Sequence, residues 1–81
     1  MIIKILGSGC TRCKKLEQNV RNLAAKNNLD ANIEKVTDIQ EMIKYGILAT
    51  PGLVINEKLK SSGILPKDEQ ILEWIQEESV I

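Results

Sequence analysis

The strongest constraint in the chain is the stretch Gly7-Ser8-Gly9-Cys10-Thr11-Arg12-Cys13-Lys14-Lys15, which holds both of its cysteines. It follows an apolar, strand-like run, Ile2 to Leu6, and stands at the head of a helix-like run, Lys14 to Lys26. The start of a helix leaves backbone N–H groups without internal partners and carries about half a positive charge. A thiolate placed there is stabilised, and a cysteine pKa of about 8.5 falls to roughly 3.5–7.5, the more so beside Lys or Arg. Arg12, Lys14 and Lys15 supply such charge, although the two lysines also fit a solvated helix face. Residues one helical turn apart are within reach of an S–S bond, whose Cα separation is about 4.4–6.8 Å. The pair reads as a dithiol that can close and reopen.

Composition narrows the setting. A chain of 81 residues predicts one domain, residues 1–81, that buries only about 60% of its unfolded surface. Eleven basic residues balance eleven acidic ones, Phe is absent, and Tyr45 and Trp74 are the only aromatics. A nucleic-acid binder needs a basic face and aromatics for stacking, so that class is disfavoured; the two aromatics read as packing residues. No apolar run approaches the roughly 20 residues that span a bilayer. Met1 to Leu6 is too short for a signal-peptide core, which makes the cytoplasm the expected location. Two cysteines in a reducing compartment are catalytic or metal-binding more often than structural. The absence of histidine excludes Cys/His metal sites and histidine acid–base chemistry.

Taken in order, Ile2–Leu6 is apolar on both faces, as a covered central strand requires. Gly7-Ser8-Gly9 breaks it. Cys13, Leu16, Val20, Leu23 and Ala24 recur at helical spacing, which turns Cys13 toward the core and leaves Cys10 at the mouth of the helix. Asn27-Asn28 ends that helix. Ala31 to Val36 reads as a second strand, less apolar and nearer an edge. Thr37 to Gln40 resembles a capping box with Thr37 as N-cap, opening a short helix whose buried face is Ile39, Met42 and Ile43 and whose stop is Gly46. Leu53-Val54-Ile55, the turn Asn56-Glu57-Lys58 and Leu59 to Ser62 read as a hairpin closed by Gly63. Pro66 fits the first turn of a last helix buried through Ile71, Leu72 and Ile75. Glu17 and Gln18 read as surface. The order β-α-β-α-β-β-α predicts an α/β fold: a four-stranded mixed sheet in the order 2-1-3-4, helices on both faces, its first two strands parallel through a right-handed crossover.

This order, the CxxC at the first helix and the X-Pro before the third strand together resemble the thioredoxin fold. The nearer resemblance is to small, minimal thioredoxin-like proteins, also described as redox-active disulfide proteins, and it covers essentially the whole chain. Its specific pieces are Gly9-Cys10-Thr11-Arg12-Cys13, Ala49-Thr50-Pro51-Gly52-Leu53 and the hairpin ending at Gly63. The resemblance implies that Cys10 is the attacking thiolate and Cys13 the resolving thiol. It implies a cis Thr50–Pro51 bond facing the cysteines, with the Thr50 backbone holding substrate in an extended pose. Arg12, fixed between the two sulfurs, and Gly63, at the rim, complete the expected substrate-binding set. No cofactor beyond the Cys10–Cys13 disulfide is implied. The implied partners are disulfide-containing proteins and an electron donor, either a thioredoxin-reductase-like protein or a small thiol, acting on a monomer.

The chain departs from larger thioredoxins in three ways. Gly9 replaces their Trp, Thr11-Arg12 replaces their Gly-Pro, and no acidic residue in the first strand matches their buried proton acceptor. Only Thr50-Pro51 and, loosely, Gly63 to Asp68 echo the glutathione-binding segments of glutaredoxins. A second class stays open. Gly7-Ser8-Gly9-Cys10-Thr11-Arg12-Cys13 before an amphipathic helix also resembles heavy-metal-associated domains, which carry soft ions such as Cu(I) on two thiolates. Those domains continue strand, strand, helix, strand, whereas a helix is expected here at 37–46.

Overall fold

The computed structural model describes residues 1–7, 9, 11–47 and 49–79, Ser79 by its backbone alone. Strand β1 (Ile2–Leu6) lies inside the sheet, parallel to β2 (Asn32–Val36) and antiparallel to β3 (Gly52–Ile55), which in turn pairs antiparallel with β4 (Lys58–Ser62). The order is β2-β1-β3-β4, a mixed sheet of the predicted topology. Side chains alternate across a strand, so β1 and β3 each serve two layers. Ile3, Ile5, Leu53 and Ile55 pack against Leu16, Val20 and Leu23 of α1 (Thr11–Lys26) and against Ile71 and Ile75 of α3 (Asp68–Ser79). Leu6 and Val54 point the other way, onto Met42 of α2 (Ile39–Lys44). Each fully buried Leu, Ile or Val contributes about 1.5–3 kcal/mol. Among the described residues nine are buried on the α1/α3 face and three on the α2 face, so the first face carries more of the stability.

Local chemistry explains the boundaries, including those that differ from expectation. Helix α1 begins at Thr11, before Lys14, so Cys13 lies in its first turn. It ends in a Schellman turn: Asn28 takes φ +52°, Leu29 N–H donates to Ala24 O (2.8 Å) and Asn28 N–H to Ala25 O (3.3 Å). The N-cap of α2 is Asp38, not Thr37. Its Oδ1 accepts from Gln40 N–H at 2.8 Å, a stronger cap than a threonine hydroxyl, and Gln40 thereby falls one position short of a reciprocal box. With that start, Met42 and Tyr45, three apart, face the sheet. Ile39 and Ile43 share the adjoining face and stay 69% and 64% exposed, which corrects the expected buried stripe of this helix. Pro66 precedes α3 rather than sitting in its first turn, because the Lys67 carbonyl accepts the first helical bond, from Ile71 (3.0 Å). Leu72 is only half-buried beside the buried Ile71 and Ile75.

The hairpin turn is shorter than expected. Asn56 and Glu57 both take positive φ, +50° and +69°, and β4 starts at Lys58 opposite Ile55. Glutamate is strained in that region. Its carboxylate offsets the strain by closing a polar triangle: Glu57 accepts from Lys4 Nζ (2.9 Å) and Tyr45 Oη (2.8 Å), while Lys4 Nζ donates to Tyr45 Oη (2.7 Å). Lys4 Nζ lies 5.3 Å from the ring centroid, at the hydroxyl edge rather than over the face, so the contact is a hydrogen bond. Lys4 thus puts one polar position beside the buried Leu6 on the α2 face of β1, a face expected to be apolar throughout, and Tyr45 is an anchor as well as a packing residue.

A register shift at Leu53/Val54 leaves Lys60 unopposed in β4, and its Nζ bonds Glu78 Oε2 of α3 (2.8 Å). Next to it, Ser61 is buried and its Oγ finds no hydrogen-bond partner among the described residues. An unsatisfied buried hydroxyl costs roughly 1–3 kcal/mol. Ser61→Ala should therefore raise stability, by about 0.5–1 kcal/mol after the loss of packing; chemical denaturation measures this, and a destabilised variant would contradict it.

Three carboxylates are held below the usual range: Glu57 by hydrogen bonds from Lys4 and Tyr45, Glu78 by Lys60 and Lys58, and Glu17 by Arg21 and Lys35. A carboxyl group with a lowered folded-state pKa contributes stability above its unfolded pKa, about 4.3, and loses it as pH falls through the folded value. Lys4 is pushed upward by the Tyr45 and Glu57 hydrogen bonds, so its contribution is complete at neutral pH and fades only in strong alkali. The melting temperature is expected to fall as pH drops from about 5 to about 3. Glu57→Gln should make that fall shallower, and an unchanged slope would show the triangle to be thermodynamically silent.

Candidate active site

The site is built where the end of β1, the head of α1 and the start of β3 meet on one edge of the sheet. Gly7 N–H donates to Val36 O (2.9 Å) and extends the β1–β2 pairing by one residue. Gly9, with φ +90°, then makes the turn that a residue with a side chain would resist. Cys13 follows in the first turn of α1, buried and disulfide-bonded. Cys10, expected to be the attacking sulfur, lies outside the described residues.

Gly7 is what brings the two sequence motifs together. A Cβ added there would overlap Cys13 Sγ and lie 3.1 Å from Cys13 Cβ and 3.7 Å from Thr50 Cβ. The missing side chain of Gly7 thus leaves the space in which the Cys13 sulfur and Thr50 approach each other. The Thr50–Pro51 peptide bond is cis, and Pro51 is fully buried. Two bonds from the end of β4 fasten this segment. Gly63 N–H donates to Pro51 O (2.8 Å) and Ser62 Oγ to Ala49 O (3.3 Å). Gly63 has φ +77°, and a Cβ there would stand 3.0 Å from Ala49 Cβ, so both backbone geometry and space call for glycine. Arg12 spans the gap from the other side, its Nη2 donating to Thr50 O at 3.3 Å. Arg12, Cys13 and Thr50 therefore form one cluster, with Pro51 and Gly63 directly behind it.

Two features beside this cluster escaped the sequence reading. A small nook of about 10 Å³ reaches Cys13 from the α1 side, and Glu17 and Lys35 stand along it. Glu17 is half-buried rather than a surface residue, pairing with Arg21 (3.0 Å) and Lys35 (3.4 Å). Its spacing, four residues after Cys13 on the same helix, was the signal. On the α2 side, the exposed Ile39 and Ile43 form the wall of a groove of about 200 Å³ that runs to Thr50.

The alternative metal-carrier order is not found: β2 is followed by α2, and the chain closes with α3 after the β3–β4 hairpin. Among the described residues no group of three or more His, Cys, Asp or Glu side chains converges as a metal-ligand set. No helix is long and apolar enough to cross a membrane among them.

Comparison with known proteins agrees with this geometry. Residues 1–76 match the family model described as a thioredoxin domain. The chain is 35% identical over 71 residues to a thioredoxin of Methanothermobacter thermautotrophicus, covering 88% of this chain and 92% of that protein. It is 33% identical over 76 residues to a thioredoxin of Methanocaldococcus jannaschii, covering 94% and 87%. Among solved structures, the germline-specific thioredoxin Deadhead of Drosophila melanogaster superposes with a TM-score of 0.64 at 18% identity, covering 94% of this chain and 78% of that one. The fold is the thioredoxin fold, and the chain belongs to the thioredoxin domain family as a small thioredoxin-like protein.

Proposed function

We propose that the protein is a thiol–disulfide oxidoreductase that reduces disulfides in other proteins through Cys10 and Cys13. The observation that carries this reading is that Cys13 Sγ and Thr50 both crowd the space a side chain on Gly7 would fill, which puts the resolving sulfur beside the segment that would hold a target. Family membership supports oxidoreductase chemistry of this type.

In the proposed cycle, the Cys10 thiolate attacks one sulfur of a target disulfide. An S–S bond forms between Cys10 and the target, the target's own S–S bond breaks, and the departing sulfur leaves as a thiolate that takes a proton from solvent. Cys13 then loses its proton and attacks Cys10, which releases the second target sulfur and leaves a Cys10–Cys13 disulfide. Two electrons have passed to the target. The head of α1 favours the thiolate forms by its N–H groups and by the cations Arg12, Lys14 and Lys15, since its first turn holds no acidic residue. Thr50 offers its main chain to an extended target segment, while Pro51 and Gly63 shape the wall behind it. No further cofactor is required. A thioredoxin-reductase-like protein or a small thiol returns two electrons to the disulfide, and the reaction is that of a monomer in the cytoplasm.

Two outcomes follow. Cys10→Ser should abolish reduction of an insulin-type disulfide, whereas Cys13→Ser should accumulate a mixed disulfide with the target, seen as a mass adduct lost on adding reductant. Full activity in Cys10→Ser would refute the assignment. Gly7→Ala should lower kcat/KM on the order of 10²-fold while the far-ultraviolet spectrum is retained, because a displacement of about 1 Å at reacting groups has that effect. Wild-type turnover in Gly7→Ala would show that the close approach is irrelevant to the chemistry.

A further inference from the structure

The charge around the site is not spread as the neutral sequence total suggests. Lys4, Arg21, Lys35, Lys44, Lys58 and Lys60 each stand within ion-pair distance of a carboxylate. Arg12, Lys14, Lys15, Lys26 and Lys67 do not: among the described residues none of the five has a carboxylate within that distance, and all are exposed. Three of these five, Arg12, Lys14 and Lys15, stand together at the head of α1, the place where a target disulfide has to arrive, and its first turn holds no acidic residue. An open cluster of one sign in a site mouth favours partners of the opposite sign.

Arg12 is the member of this cluster with a defined geometry. Its guanidinium rests on the Thr50 carbonyl, a neutral acceptor, at 3.3 Å, the long end of hydrogen-bond distances, and in solvent. Such a bond is given up at little cost. A carboxylate offers the same fork a charge-assisted and bidentate alternative, which is roughly twice as strong as a neutral contact. A target segment lying along Thr50 would bring the residues next to its reacting cysteine past that guanidinium.

We infer that Arg12 determines specificity at this site: its guanidinium leaves the Thr50 carbonyl for a carboxylate of the incoming target, so that disulfides flanked by Asp or Glu are the preferred substrates. This deepens the oxidoreductase reading above and rests on it. Lys14 and Lys15 add attraction that does not depend on a particular bond, which sets the approach of an acidic segment without fixing its register.

The experiment uses two synthetic peptides, each closed by one internal disulfide, with Glu on both sides of the first cysteine in one and Gln in the other. Single-turnover reduction by the pre-reduced protein gives kcat/KM for each. The wild type should favour the Glu peptide about fivefold at low salt, the ratio expected when a charged acceptor replaces a neutral one. That ratio should move toward one at about 0.5 M salt, where exposed charges are screened. Arg12→Met should bring the low-salt ratio near one, and Arg12→Lys, which keeps the charge without the planar fork, should retain part of it. Because the readout is a ratio within one protein, any change in thiol reactivity cancels. A wild-type ratio near one, or an Arg12→Met protein that keeps the wild-type ratio, overturns the inference and leaves the oxidoreductase reading intact. A wild type that reduces neither peptide overturns both.

Discussion

One close approach governs the rest of the structure: the backbone of Gly7 against the sulfur of Cys13. A strand that leaves the sheet and turns straight into a helix must pass the first turn of that helix at short range. Here the passage has room for a hydrogen on Cα and nothing larger. Because Gly7 still bonds to Val36, the sheet pairing continues up to the point of contact. Thr50 closes in on the same space, and Arg12 reaches across to its carbonyl. Arg12 and Cys13 are carried by α1, while Gly7, Thr50-Pro51 and Gly63 lie just beyond strand ends and are held there by hydrogen bonds.

The two faces of the sheet divide the work. The face under α1 and α3 is a continuous aliphatic layer that fixes α1, and with it Cys13, against β1 and β3. The α2 face is thinner. Its three buried side chains, Leu6, Met42 and Val54, give way at one end to the polar triangle of Lys4, Tyr45 and Glu57 and at the other to a groove walled by Ile39 and Ile43. Antiparallel pairing of β3 with β1 brings the start of β3 to the same edge as the end of β1. The Thr50–Pro51 segment then meets the head of α1 without a long connection. Gly63 and Ser62 secure that segment from behind, so the hairpin that completes the sheet also fastens the site.

Much of this was legible in the sequence. The sheet order, both helical layers and the proximity of Arg12, Cys13, Thr50, Pro51 and Gly63 were expected from two central strands apolar on both faces, the glycine break and the shared resemblance of the two motifs. Features that depend on competition between near-equal local signals were not legible. Thr37 and Asp38 are both good caps, and which of Ile39, Met42 and Ile43 faces the sheet is decided by packing that their spacing does not record. Lys4 in an apolar strand gives no hint of its partners, which lie 41 and 53 residues away. The bulge at Lys60 and the unpartnered Ser61 hydroxyl follow from pairing geometry that no one-dimensional pattern records. Gly7 read as a turn residue, whereas its exacting role is the absence of a side chain next to a sulfur.

The central claim, that two sulfurs at the head of α1 interconvert between dithiol and disulfide within one chain, is tested most directly by counting thiols across a graded redox buffer. The account predicts that free thiols fall from two to zero in a single two-electron transition, with a tenfold change per about 30 mV and a midpoint between roughly −270 and −200 mV, while the protein stays monomeric. Thiols that survive strong oxidation, or that vanish only as disulfide-linked dimers form, would contradict it.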